Sequence, residues 1–153
     1  MTPSSRDRPA VRTLLIALVL VGILGLLAEL LLMEHFESWT QDIPLCVLGL
    51  GLVATGAAAY RPTPPTLLIF RAFMVFFIVA GIAGLWLHYR GNQAFELEIA
   101  AAAHGWSLIW KALRGGIPTL APGALVQLGL MGLVWAHDHP ALRLATTTTE
   151  DEA

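Results

Sequence analysis

One stretch of the chain, residues 13–33, carries a single charged side chain, that of Glu29, in about 21 successive positions. An α-helix rises about 1.5 Å per residue, so a helix of this length crosses a bilayer core of about 30 Å. Such a helix satisfies its backbone amides internally, which a lipid environment requires. The stretch therefore predicts a membrane-spanning helix.

Three further apolar stretches follow, at residues 43–60, 66–87 and 117–136. Only 13% of the residues are charged, whereas a soluble domain carries about 25%. We therefore expect an all-α fold, an integral membrane four-helix transmembrane bundle over residues 13–136, with the lipid bilayer as its surroundings. Residues 1–12 are expected to form a disordered N-terminal tail and residues 137–153 a polar C-terminal tail.

The first stretch could also be a cleavable signal peptide, because Arg6, Arg8 and Arg12 precede it. The apolar part of a signal peptide has about 7 to 15 residues and ends at a cleavage site made of small residues. This stretch is longer and continues through residues 26–30 without such a site. We therefore interpret it as an uncleaved first span.

The connections between the spans are short, except the one before the last span. Residues 61–66 contain three prolines, which cannot continue a helix, so the second and third spans are predicted to form a tight antiparallel hairpin. Residues 94–114 place apolar side chains at helical spacing and predict an amphipathic helical segment on the outer membrane surface, with a break at Gly105. The alternative is a fifth span, which would place His104 and Lys111 near the bilayer centre at a high cost.

The fourth span begins in a segment that contains Pro118 and Pro122. If its helix starts only at Pro122, about 15 residues remain before His137, fewer than the roughly 20 that a bilayer core requires. Such a helix would span only with tilted neighbours, an ordered entry segment or a locally thinner bilayer. The sequence thus predicts a short fourth helix.

The basic residues predict the orientation, because those near span ends favour the cytoplasmic side. A four-span threading places six arginines on one side: Arg6, Arg8, Arg12, Arg61, Arg71 and Arg143. Arg90, Lys111 and Arg114 fall on the other side. Both termini are therefore expected in the cytoplasm. The eight arginines against one lysine, with many Ala, Leu and Gly, are typical of GC-rich bacteria and favour a bacterial inner membrane.

Small residues in the later spans predict close helix packing, since they let the backbones of neighbouring helices approach. The second span has the small-xxx-small pair Gly51 and Thr55. The residues expected to pack helices together are Gly51, Thr55, Gly56, Gly81, Gly84, Gly129 and Gly132.

Glu29 is the ionisable residue that most needs an explanation. It lies about one turn inside the outer end of the first span, where a carboxylate must find a partner, face an aqueous cavity or take up a proton. Arg90 is a candidate partner for a structural ion pair, and contact with a proton or substrate is the alternative. Gln127, midway along the fourth span, either packs through a hydrogen bond between helices or lines a path.

Histidine and carboxylate residues on the outer side could in principle bind a divalent metal. These candidates are His35, His88, His104, Glu34 and Glu37. Their spacing matches no established ligand motif, and we expect no metal and no other cofactor. On the inner side, the His137–His139 segment is interpreted as a helix end with favourable charge, and Arg71 as a side chain that reaches the membrane surface.

The sequence favours a non-enzymatic protein, either an accessory or assembly subunit with a membrane-protein partner or a homo-oligomeric bundle. A small transporter or channel that uses Glu29 and the outer histidines is the alternative from another class. A metal-dependent membrane enzyme is the third hypothesis. The net charge of −2, with basic residues at the span ends only, argues against nucleic-acid binding.

Overall fold

The computed structural model describes residues 7–34, 39–117 and 119–142, and all of its regular structure is helical. The helices are α1 (Asp7–Leu32), α2 (Trp39–Tyr60), α3 (Pro64–Ile99), α4 (Gly105–Leu113) and α5 (Gly123–Ala136). A further helical turn begins at residues 140–142.

Three of these helices, α1, α2 and α3, are long and apolar enough to cross a membrane. The fourth apolar helix, α5, has 14 residues, which corresponds to about 21 Å. The prediction of a short fourth helix is therefore confirmed, and its helical part begins one residue after Pro122. Four-span threading was the sequence expectation, and the structure supports three full-length candidate spans and one shorter apolar helix.

Three helices extend beyond the bounds expected from the sequence. Helix α1 begins at Asp7 rather than at residue 13, so residues 7–12, which were expected to belong to a disordered tail, are helical. Helix α2 begins at Trp39 rather than at residue 43, so Pro44 lies inside it, in the second turn, where a proline removes one helical hydrogen bond. Helix α3 continues to Ile99 rather than ending at residue 87. No proline interrupts residues 66–99, so the polar positions that end the apolar stretch do not end the helix. The segment expected as one amphipathic unit at 94–114 thus divides between α3 and α4.

Local contacts explain where α3 and α4 start. At the start of α3, the Thr66 backbone N–H donates to Oγ1 of Thr63 at 3.5 Å, and Thr66 Oγ1 donates to the Arg61 carbonyl at 2.7 Å. These bonds satisfy polar groups that a helix start leaves free. Helix α4 starts at Gly105, which has a φ of +62°. Glycine adopts this left-handed conformation without strain. Helix α3 ends at Ile99, so the interruption covers residues 100–104 and Gly105 begins the next helix.

The described residues form two compact units, and α3 and α5 contribute to both. In the first unit (Met1–Val75 with Leu128–Ala153), α1 packs against α2. The Phe70 and Trp135 rings of α3 and α5 meet edge to face, with centroids 5.1 Å apart. The largest fully buried apolar side chains of this unit are Val19, Ile23, Leu48, Leu67, Phe70 and Met74. Its core therefore draws on all four apolar helices.

The second unit covers Phe76–Gln127. Here Gly81 and Gly84 of α3 lie directly against Pro122 and Val126 at the start of α5. Helix α4 buries Leu108 and Ala112. An ion pair at 3.7 Å joins Lys111 of α4 to Glu96 of α3. Close backbone approach and apolar burial both shape this unit.

Candidate functional site

Two arginines converge on the carboxyl end of α5 in the first unit. The Arg12 guanidinium donates from Nη1 to the Trp135 carbonyl at 3.0 Å, and from Nη2 to the carbonyls of His137 at 2.8 Å and Asp138 at 3.0 Å. The Arg71 Nη2 donates to the Ala136 carbonyl at 2.9 Å. A helix leaves its last carbonyls without internal partners and carries partial negative charge there. The two guanidinium groups therefore cap α5 and hold the starts of α1 and α3 beside it.

His139 completes this arrangement, and we call Arg12, Arg71 and His139 the basic cluster. The His139 ring lies 5.1 Å from the Trp135 ring, measured between centroids. The backbone N–H of Ala141 donates to Nδ1 of His139 at 3.3 Å. An Nδ1 that accepts a hydrogen bond carries no proton, so the contact requires the neutral ring with its proton on Nε2.

The electrostatics of the cluster favour that neutral form. Burial lowers the pKa of His139 below its usual value, and the positive charges of Arg12 and Arg71 lower it further. Among the described residues, the charged and titratable groups around His139 are Arg12 from α1, Arg71 from α3, and its sequence neighbours His137 and Asp138. Protonation would add a third positive charge and break the bond from Ala141.

This pKa shift predicts a loss of stability in mild acid. Since the unfolded chain protonates His139 at about pH 6.5 and the folded chain only at lower pH, the unfolded state binds more protons between these two pKa values. We expect the stability contributed by neutral His139 to be complete above about pH 6.5 and to fall as the pH decreases towards the folded pKa. Thermal unfolding in detergent between about pH 7.5 and pH 5 measures this slope. The His139→Gln variant should flatten it, whereas His104→Gln, at an exposed ring, should not; equal slopes for wild type and His139→Gln would contradict the prediction.

A second polar centre lies in the second unit around Asn92, which is 2% exposed. Its Nδ2 donates to the carbonyls of Ala112 at 3.0 Å and Ile117 at 2.7 Å, and to Thr119 Oγ1 at 2.9 Å. Its Oδ1 accepts the Ile117 backbone N–H at 3.0 Å. A side chain at Gly115 would overlap the Asn92 amide. Asn92 therefore clamps the chain between α4 and α5 onto α3.

The polar residues singled out from the sequence lie elsewhere. Glu29 is exposed on α1, one turn before the helix ends, and makes no side-chain hydrogen bond or ion pair with any described residue. Gln127 is exposed on α5. Arg90 is exposed on α3, with its guanidinium 5.8 Å from the centroid of the Trp86 ring. Glu29 belongs to the first unit and Arg90 to the second.

The metal-ligand candidates are spread over several segments. His35 and Glu37 lie outside the described residues. Glu34 is exposed after α1, and His88 is half-buried on α3 with an interaction of its own. The Nδ1 of His104 lies 2.7 Å from the Ala102 carbonyl oxygen. Within residues 7–34, 39–117 and 119–142, no three His, Cys, Asp or Glu side chains are grouped to hold a metal ion.

At some glycines an added Cβ would overlap a neighbouring residue, and at others the space beside the backbone is open. A Cβ at Gly81 would lie 2.7 Å from Val126 Cγ2, and a Cβ at Gly84 would lie 2.8 Å from Pro122 Cβ. Gly132 would likewise meet Met74 and Phe70. Gly51, Thr55 and Gly129 are also buried, and Thr55 donates to the Gly51 carbonyl at 2.7 Å. By contrast, a Cβ at Gly49 or Gly56 of α2 would meet nothing within 4 Å.

Sequence reasoning missed the roles of Asn92, Arg12 and Arg71. Arg12 was assigned only to a flank, and Arg71 was expected to reach the membrane surface; both instead donate to carbonyls of the α5 end. The available signal for Asn92 was the polar pair Asn92-Gln93 directly after Gly91, with no proline nearby. Neither cluster contains an activated nucleophile, so their chemistry is that of hydrogen bonding and positive charge.

Comparison with protein-family models, with curated proteins and with solved structures found no match to this chain.

Proposed function

We propose that this chain is a four-span integral protein of the bacterial inner membrane, with both termini in the cytoplasm, that acts without catalysis by associating laterally with other membrane proteins. It would serve as an accessory or assembly subunit, or form a homo-oligomeric bundle. The lipid bilayer is its medium.

The contact of Arg12 with the end of α5 supports four crossings. Arg12 lies near the beginning of α1, and its hydrogen bonds reach Trp135, His137 and Asp138 at the end of α5. An even number of crossings places these two ends at the same membrane face, whereas three crossings would place them at opposite faces. Helix α5 is short, so tilted neighbouring helices, a locally thinned bilayer or the entry segment before Gly123 must help to complete the fourth crossing.

The exposed aromatic residues of α4 support an interfacial position for this helix. Trp106 and Trp110 lie four residues apart and are 73% and 51% exposed. The Arg114 guanidinium lies 5.7 Å from the centroid of the Trp110 ring. Tryptophan settles at headgroup depth, where its ring is buried among lipids and its N–H remains hydrated. In the proposed topology, α4 lies on the outer surface.

The open glycines of α2 carry the proposal of lateral association. Gly49 and Gly56 are seven positions apart, which is close to two helical turns, so they share a face of α2. Neither has a neighbour within 4 Å of where a Cβ would be. Between them on the same helix, Leu50 and Val53 are 58% and 69% exposed. In membranes, small residues on an apolar face let a second helix approach closely.

A large side chain on the face of α2 that carries Gly49 and Gly56 should block association without disturbing the fold. We expect Gly56→Leu to reduce the protein mass of the wild-type particle to that of a smaller species, because the leucine fills the space needed by the neighbouring helix. Multi-angle light scattering in mild detergent, corrected for the detergent, measures this mass. The thermal midpoint of the variant should not fall below that of the wild type, because leucine favours a helix more than glycine does.

The matched control is Gly25→Leu, which makes the same change at an open position of α1. It should leave the particle mass unchanged. Two results would contradict the proposal: a wild-type protein that is a detergent-stable monomer without a co-purifying subunit, or a Gly56→Leu variant with the wild-type mass.

A second candidate function, a small transporter or channel, draws support from Glu29. This carboxylate is exposed on an apolar helix and has no partner among the described residues. It also lies near the carboxyl end of α1, where the helix dipole disfavours negative charge. Membrane-embedded carboxylates held at such a cost often contact protons or cations.

The Glu29→Gln variant separates this candidate from a structural role. If Glu29 handles ions, the flux of protons or cations into vesicles should be at least about tenfold lower for the variant than for the wild type, which corresponds to a change of about 1.4 kcal/mol. Its expression and thermal midpoint should stay at wild-type values. A structural carboxylate gives the opposite pattern, with lower stability and no specific loss of flux. Vesicles without protein define the background leak.

A further inference from the structure

We propose that the basic cluster of Arg12, Arg71 and His139 binds a phosphate group, supplied by the headgroup of an anionic lipid. The inference goes beyond lateral association, and it rests on the proposed membrane-embedded state only for the source of the phosphate. Its chemical part depends on the contacts of the first unit alone.

The geometry brings two guanidinium groups onto successive carbonyls. Arg71 binds the carbonyl of residue 136, and Arg12 binds those of residues 135, 137 and 138. The carbonyls fix both side chains, and these bonds, all to described residues, occupy part of their donor capacity. Each guanidinium has five N–H donors, and Arg71 makes one hydrogen bond among the described residues. Donors held in place in this way are suited to a tetrahedral anion with several acceptor oxygens.

The charge of the cluster is not balanced by α5. A helix end carries about half a negative charge, whereas Arg12 and Arg71 together carry two positive charges. Asp138, the acid next to His139 in sequence, is exposed and has an interaction of its own. Its full negative charge and that of the helix end together still leave about half a positive charge on the cluster. Arg12 and Arg71 also generate a positive potential at His139, which disfavours its protonated form. A phosphate anion would relieve this excess, and protonated His139 would then add a third donor.

The position of the cluster along the helices points to a lipid as the source. Arg12 directly precedes the apolar stretch 13–33, and the carbonyls at 135–138 belong to the last two residues of α5 and the two residues after it. In a bilayer, the ends of apolar helices lie at the depth of the headgroup phosphates. Basic pockets between helices at this depth bind anionic headgroups. Free phosphate from solution offers the same chemistry and is the alternative source.

Native mass spectrometry of the full chain in detergent can test the lipid source. The protein is mixed with phosphatidylglycerol or with phosphatidylcholine, and the retained lipid is measured. We expect retention of phosphatidylglycerol in preference to phosphatidylcholine. The Arg71→Gln variant should weaken this retention by about fivefold, the effect of one basic residue near the lipid surface. The matched control, Arg90→Gln, removes an exposed arginine of the second unit and should retain the lipid as the wild type does.

The second arm of the test uses inorganic phosphate and measures the thermal midpoint of the detergent-solubilised protein. If free phosphate binds, the midpoint should rise with phosphate but not with chloride at equal ionic strength. A rise that is lost in Arg71→Gln supports the site with free phosphate as the source. Arg71→Lys keeps the charge, and it separates loss of binding from loss of the α5 cap.

Equal retention of both lipids together with no effect of phosphate would overturn the proposal, as would an unchanged preference in Arg71→Gln. A protein that stays folded in buffer without detergent would refute the membrane proposal, yet the phosphate arm would still apply.

Discussion

Replacing Asn92 with alanine is expected to destabilise the protein by about 3 kcal/mol or more, among the largest effects of any single substitution in this chain. The buried amide of Asn92 satisfies the carbonyls of Ala112 and Ile117, the hydroxyl of Thr119 and the Ile117 N–H. Alanine leaves the Ile117 N–H without its acceptor, removes one partner from each of the other groups and also opens a cavity. The free energy of unfolding in mixed detergent measures the loss.

Two companion measurements make the result specific to Asn92. Gln93→Ala, at the neighbouring half-buried position, should change the stability by less than about 0.5 kcal/mol. Hydrogen exchange of the Ile117 amide should accelerate in Asn92→Ala, because its acceptor is lost. Wild-type stability of Asn92→Ala, with unchanged exchange at Ile117, would show that the clamp does not hold the segment between α4 and α5.

The second large effect is expected from Gly81→Ala. A Cβ at this position would lie 2.8 Å from the Pro122 carbonyl oxygen and 2.9 Å from the Val126 nitrogen. Both are backbone atoms, so α3 and the start of α5 must move apart. We expect a loss of about 1 to 3 kcal/mol, the range for an overpacked core, measured by the same unfolding experiment.

Gly25→Ala is the matched control, since a Cβ at this position of α1 meets nothing within 4 Å. Alanine restricts the unfolded chain and favours a helix, so this variant should be neutral or more stable by up to about 1 kcal/mol. Equal destabilisation by both substitutions would mean that the close approach at Gly81 does not matter and that glycine itself is needed.

The long helices could be predicted from the sequence because their signal is local. A run such as residues 13–33 contains enough apolar side chains to specify both helix and medium, whatever it packs against. The same holds for the turn after Tyr60, where prolines end one helix and Thr63 and Thr66 begin the next. The end of α3 was harder to place, because polarity marks the edge of the apolar stretch but does not stop a helix.

The candidate site was predicted less well for a related reason. Glu29 attracted attention because a carboxylate in an apolar run is conspicuous in sequence, yet it lies exposed near a helix end. Arg12 and Arg71 are 59 positions apart in the chain, and each alone resembles an ordinary flanking arginine. Their shared target, the end of α5, appears only when the helices are assembled.

The sequence by itself determined that this protein is helical and apolar enough for a bilayer, and that its last apolar helix is short, because hydropathy and proline act over neighbouring residues. Only the tertiary structure decided which polar groups hydrogen-bond to each other and which glycines lie in close contact with a neighbouring segment. Hydrogen bonds and close packing depend on distances between remote segments, such as Asn92 with Ile117 or Arg12 with His137, and no spacing along the chain encodes those distances.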